Sequence, residues 1–327
     1  MLGISSPRPL RTAVYAPPLG ADLGRWRGQL AAIDAAGFTA VTVSDHFSYG
    51  AMDPVAGLAA IAAATSRVRL MALLFCNDYR HPVVTHKAAA TVDVLSAGRL
   101  DLGMGAGFLA AEYAAAGLVY DRPAVRIARL DEALDVVQAL FTGEQMKHAG
   151  TYYSVELAGK PAPVQRPHPP LVIGGGGKRM LTLAGRRASI VGIHSNLSRG
   201  TAYDAGVIED MLPERMQAKI GWARAAAEQA ERDPDGLDYL YISWATAVVD
   251  SPKETGPALQ AVAQRFGVDL EVARRSLGLL VGTAEECCEQ LMERRETYGL
   301  NYPNLGVADV NMLAPLTERI AAAAAAR

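Results

Sequence analysis

Aspartate and histidine stand side by side at positions 45 and 46, just past a short β-branched run from Ala40 to Val43. An imidazole takes up and releases a proton near neutral pH, and a neighbouring carboxylate can fix its tautomer. His46 is therefore the first candidate for acid–base chemistry, with Asp45 as its companion. Further along, Gly174, Gly175, Gly176, Gly177 and Lys178 lead from an apolar run into a helical pattern. Glycines let backbone N–H groups turn toward an anion, and the start of a helix adds positive potential. Four in succession lose considerable backbone entropy on folding, so a phosphate cradle explains them better than a spacer does. A nucleotide P-loop is excluded, because Val172 and Arg179 occupy the places of its first glycine and its hydroxyl. Gly103, Gly105 and Gly107 approach a dinucleotide fingerprint, but the third glycine comes one position early, and no acidic strand end follows at the required distance. They instead suit close strand packing at a rim and, compatibly with it, room for a flat ring system. Cys76, Asn77 and Asp78, and then His194, Ser195 and Asn196, follow two further apolar runs.

Other chemistries find little to work with. His86, His148 and His168 have no metal-ligand spacing, and Cys76, Cys287 and Cys288 form neither a zinc motif nor a disulfide framework. No Gly-x-Ser-x-Gly nucleophile elbow occurs. Thirty-two basic against 34 acidic residues, without a long basic stretch, argue against nucleic acid as a partner. Val55 to Ala64, the longest near-apolar run, falls short of the ~20 residues that cross a bilayer. Met1 to Leu10 holds Ser5, Ser6, Pro7, Arg8 and Pro9 and no signal-peptide core. A cytoplasmic protein is the expectation.

The elements that must position these residues alternate along the whole chain. Strands are expected at Thr12–Ala16, Ala40–Val43, Val68–Phe75, Leu100–Met104, Leu171–Ile173, Ile190–Ile193, Tyr239–Val249 and Pro303–Val307, with a helical pattern after each. Asp22, Asp53-Pro54, His81-Pro82 and Pro123 mark helix starts, and Gly37 and Gly98 mark ends. Eight strand–helix cycles predict a (β/α)8 TIM barrel of residues 1–327 as a single domain. Its surplus length falls into insertions at about 142–170, with a small hairpin near Thr151–Val155, and at about 251–282, read as helical. In such a barrel the polar strand ends named above would share one mouth. Tyr15, Phe47, Phe108, Tyr241 and Trp244 would give that mouth an apolar lining.

The strand ending Ser44-Asp45-His46-Phe47 is followed by Arg80-His81-Pro82, Leu95-Ser96-Ala97-Gly98-Arg99-Leu100, the glycine segment 103–107, and Glu112-Tyr113. The order continues through the tetraglycine to Val281-Gly282-Thr283, Arg294-Arg295-Glu296 and Ala314-Pro315. Together they resemble the bacterial luciferase-like oxidoreductases (the luciferase-like monooxygenase family), especially the branch that uses the deazaflavin coenzyme F420. The resemblance implies a tricyclic cofactor across the barrel mouth and a homodimer. It places Asp45 and His46 beside the ring, with Asn77 among the cofactor contacts, and a bulge with a non-prolyl cis peptide at Ala72, Leu73 and Leu74 behind it. It places Gly105, Ala106 and Gly107 against the ring and its side chain, and Gly174 to Lys178 on the phosphate. Sugar-phosphate dehydrogenases of this branch carry a glutamate where Phe108 stands, and many relatives an aspartate where Ser189 stands.

The expected reaction is hydride transfer between reduced F420 and a small, unsaturated organic substrate, with His46 as proton donor. An FMN-dependent monooxygenase on the same fold is the alternative, and a non-catalytic flavin-binding protein is the alternative of another class.

Overall fold

The computed structural model describes residues 8–48, 52–197, 204–306 and 309–325. Eight parallel strands close on themselves: β1 (Ala13–Tyr15), β2 (Ala40–Val43), β3 (Arg69–Ala72), β4 (Leu100–Gly105), β5 (Leu171–Gly175), β6 (Ile190–Ile193), β7 (Asp238–Ile242) and β8 (Tyr302–Asn304). Each pairs with its sequence neighbour, and β8 returns to β1 through Ala13 and Asn304. This is the predicted (β/α)8 barrel. Alternate residues of each strand face the lumen and the helical layer. Ala13, Ala40, Met71, Val172, Ile190, Leu240 and Tyr302 pack together inside. Val14, Val41, Leu70, Val191 and Tyr241 belong to the larger core under the helices.

Helix starts follow local chemistry. The Asp22 and Asp53 carboxylates accept from the N–H groups of Arg25 and Ala56, and Pro54, Pro82 and Pro123 open helices where no N–H is required. His81 caps Pro82–Leu95 by accepting from the Val83 N–H. No helix among the described residues is long and apolar enough to cross a membrane.

Four expectations need correction. The third strand is not continuous to Phe75: the Leu73–Leu74 peptide is cis, and only Phe75–Cys76 rejoins β4 beyond it. The seventh strand ends at Ile242, and Ala245–Val248 forms a separate parallel pair with Leu279–Gly282. The second insertion therefore contains helices Pro252–Phe266 and Leu270–Arg275 but closes with a strand. In the first insertion the hairpin is longer than expected, Gln145–Ala149 against Ser154–Ala158, and 151–153 form its turn. The end of the predicted eighth strand, Val307, lies outside the described residues.

A polar network seals the N-terminal end of the barrel. Arg8, Arg11 and Asn301 all donate to the Asp238 carboxylate, Arg69 grips Asp101, and the Arg11 guanidinium lies 4.2 Å from the Tyr302 ring centre. Ser189 borders this network. Ser189, where the resemblance implies an aspartate, therefore lies at the end remote from the mouth.

Candidate active site

Because all eight strands run the same way, residues just past β2 to β6 share the C-terminal rim. His46 lies there with a fifth of its side chain exposed. Its Nδ1 is 2.9 Å from Oε2 of Glu112, which is almost fully buried on the short helix Ala110–Ala115. The other carboxylate oxygen of Glu112 accepts from the Ser48 N–H (2.9 Å) and hydroxyl (2.5 Å), and Tyr79 donates to Oε2 at 3.2 Å. Burial by itself would raise the Glu112 pKa, but the bonds from Ser48 and His46 outweigh it and hold the carboxyl below its usual range. An ionised carboxylate only accepts, so Nδ1 of His46 carries the hydrogen.

Asp45 does not orient the imidazole. Arg80 donates to both of its oxygens, and the Cys76 N–H donates to Oδ2 at 2.8 Å. It ties the end of β2 to the segment after β3. Cys76 is no nucleophile: burial pushes its thiol up to about 11, and Sγ lies 3.3 Å from the Tyr113 hydroxyl.

The floor of the mouth is built from absent side chains. A Cβ on Gly103 would strike the Ala72 carbonyl, and one on Gly105 would lie 3.2 Å from Leu74. Leu73 and Leu74 thereby cap the lumen cluster, while Ala72 itself packs in the outer core. Gly174 and Gly192 are paired across β5 and β6, and a Cβ on the first would meet the backbone of the second. With Gly105, these two leave adjacent strands bare on the lumen side at the rim. Gly107 adopts φ +72°, and a Cβ there would run into the Tyr113 hydroxyl and Cys76. The Ala106 and Gly107 carbonyls accept from Arg126.

The tetraglycine ends at Gly177, the N-cap of helix Lys178–Arg187, which has no side-chain cap. Nothing lies within 4 Å of the place a Gly177 side chain would take, and Lys178 and Arg179 are exposed in the first turn. Beside it, a Cβ on Gly176 would collide with the backbone of Ser195 and Asn196. A helix start without a side-chain cap, open space and a bare rim suit a ligand with a flat ring and a phosphate tail. His194 completes this side. It lies edge-on to Trp244, with ring centres 4.9 Å apart, and desolvation lowers its pKa to about 4. The charge of His46 contributes to that lowering, which puts the two imidazoles in one neighbourhood.

The model of the luciferase-like monooxygenase family matches residues 1–266. The chain belongs to the luciferase-like monooxygenase family. An F420-dependent glucose-6-phosphate dehydrogenase of Beutenbergia cavernae is 38% identical over 220 residues, 64% of this chain and 61% of that one. The chain spans about three fifths of the length of the curated relatives it matches. Among solved structures, the monooxygenase RslO1 from Streptomyces bottropensis shares the fold with a TM-score of 0.72, 24% identity, and coverage of 94% of this chain and 97% of that one. An F420-dependent secondary alcohol dehydrogenase bound to an F420–acetone adduct gives a TM-score of 0.76, 19% identity, and coverage of 96% and 98%.

Within this luciferase-like barrel, the expected residues divide into those the fold gathers and those it spends elsewhere. His46, Gly105 to Gly107 and Gly174 to Lys178 meet at the rim. Asn77 is buried with its amide donating to Tyr153 of the hairpin at 3.0 Å. Phe108 meets His46 edge-on, with ring centres 5.6 Å apart, and Phe47 stacks on Tyr79 at 4.3 Å. Tyr241 is fully buried in the outer core and does not line the mouth. Sequence reasoning gave Glu112 no role at the site and passed over Ser48 and Tyr79. The signal for Glu112 was present: one carboxylate stands in an otherwise alanine-rich turn just after a glycine-rich strand end.

Proposed function

We propose that this protein is an F420-dependent oxidoreductase that transfers hydride to or from a small, unsaturated organic substrate. The observation that carries the proposal is the His46–Glu112 pair at a glycine-lined mouth, beside an uncapped glycine-led helix start. The F420-dependent relative and the matched family support it. When bound, the deazaflavin supplies the two-electron hydride chemistry. The residues around it supply position and a proton. Gly174 to Gly177 and Lys178 hold the phosphate, the bare rim of Gly105 and Gly174 admits the ring, and Leu73 and Leu74 support it from the lumen. Nε2 of His46 delivers or collects the accompanying proton, while Glu112 keeps Nδ1 protonated and balances the imidazolium charge.

The substrate differs from the sugar phosphate of the relatives named above. Phe108 sets an apolar ring against His46. Around the rim, Arg80 and Arg129 are engaged by Asp45, Asp78 and Asp121. An uncharged carbonyl compound fits this lining. The protein acts in the cytoplasm as a homodimer, with Val84, Val94 and Leu95 standing exposed on helix Pro82–Leu95 as apolar surface for a second copy.

Parallel spectral titrations with F420 and FMN test the cofactor. Tighter binding of FMN would replace the proposal with oxygen-dependent chemistry on the same barrel. A screen with reduced F420 should find turnover with α,β-unsaturated carbonyl compounds and none with glucose 6-phosphate. Under the same conditions, His46→Ala should lower turnover by about 10²–10⁴-fold and leave F420 affinity nearly unchanged. Full turnover in that variant removes His46 from the mechanism.

A further inference from the structure

Lys219 is a charged side chain buried far from water, only 2% exposed, on helix Pro213–Gln229. Its Nζ donates to three acceptors: the His194 carbonyl at 2.9 Å, the Asp210 carbonyl at 2.9 Å and Oδ2 of Asp210 at 2.5 Å. That same Oδ2 accepts from the Asn196 N–H at 2.7 Å. One ammonium therefore fixes both ends of the segment 194–196. Ser195 is held independently, donating to the Val207 carbonyl and accepting from the Trp244 indole. The segment leans on the tetraglycine so closely that the space of a Gly176 side chain is taken by Asn196 and Ser195 backbone.

From this chain of contacts we infer that Lys219, through Asp210 and residues 194–196, is a positioning residue for the phosphate cradle at Gly174 to Gly177. The inference rests on the cradle assigned above. Burying an ammonium is costly unless it is fully hydrogen-bonded. A backbone segment that presses on a glycine loop has a use for such a peg. Donors aimed at an anion lose strength steeply with distance and angle, and a shift of a few tenths of an ångström in 194–196 passes directly into the loop.

The test compares each phosphate-bearing cofactor with its phosphate-free parent: F420 with the deazaflavin alcohol that lacks the tail, and FMN with riboflavin. Binding is followed by fluorescence on wild-type protein, on Lys219→Met, and on Asp210→Ala. Lys219→Met keeps the volume of the stem, and Asp210→Ala removes the acceptor of the Asn196 N–H while leaving Lys219 its two carbonyls. The expected result is that phosphate preference, the ratio of the two dissociation constants, falls about tenfold or more in the variants. Affinity for the phosphate-free parent should stay near the wild-type value. Equal weakening of both ligands, or an unchanged ratio in a less stable protein, overturns the inference and leaves Lys219 a purely structural ion pair. If Lys219→Met does not fold, the Asp210→Ala ratio decides. A wild-type chain that prefers FMN to F420 refutes the proposed function, and the inference is then judged on FMN against riboflavin. A wild-type chain with no phosphate preference in either pair overturns the inference itself.

Discussion

Glu112 accepts from Nδ1 of His46 and so sets the tautomer of the imidazole, from 66 residues away. Replacing it with glutamine keeps the shape and removes the charge. Loss of one charge-assisted hydrogen bond, worth about 1.5–3 kcal/mol, predicts that Glu112→Gln lowers turnover by roughly 10–100-fold. Turnover of both proteins with reduced F420, measured at one pH, checks the figure. Unaltered turnover means that the carboxylate does not act through the imidazole. The Glu112 pKa lies below the usual 4.5 in the folded protein, so its stabilising effect is complete above that value. It fades as pH falls through the lower, folded-state value. Asp45 illustrates the limits of adjacency in sequence. Successive residues past a strand end need not point the same way, and Asp45 turns to Arg80 while His46 turns to the mouth.

Elements explain why some of this could be read in advance. Strand ends followed by glycine or by Asp-His are local punctuation, and β2, β5 and β6 with their rim residues were legible for that reason. Contacts between distant segments leave no such mark. The run Tyr239 to Val249 looks like one β-branched strand, and only its pairing with Leu279–Gly282 shows that the chain leaves the barrel at Ser243. The pair Lys219–Asp210 is equally silent, because an alanine-rich helix with a lysine has the composition of a solvated one. Glycines of the rim carry a direct test. Gly107→Ala combines an unfavourable φ with a collision against Tyr113 and Cys76, and should destabilise the fold by about 1–3 kcal/mol. Gly177→Ala meets nothing within 4 Å and should leave the unfolding free energy, read from urea denaturation, within about 0.5 kcal/mol of wild type. Equal midpoints for the two variants would contradict the packing described for the rim.

At the scale of the whole molecule, stability should depend on pH through His194. Its pKa is lowered to about 4 by desolvation, so between about 6.5 and 4 the unfolded chain binds a proton that the folded one refuses. Stability is therefore undiminished above that window and declines by up to about 3 kcal/mol as pH falls across it. Urea titrations at several pH values should show the decline, and His194→Gln should flatten it. The closing contact between β1 and β8 has a further consequence. The stave that completes the cylinder lies beyond residue 266, outside the stretch matched by the family model, and it touches β1 through one register pair flanked by Arg11 and Leu305 backbone bonds. A chain cut after about residue 299 would leave two raw sheet margins, on β1 and on β7, each with unpaired amides and carbonyls. Such a fragment should scatter light and bind thioflavin, and adding the missing C-terminal peptide in trans should suppress both.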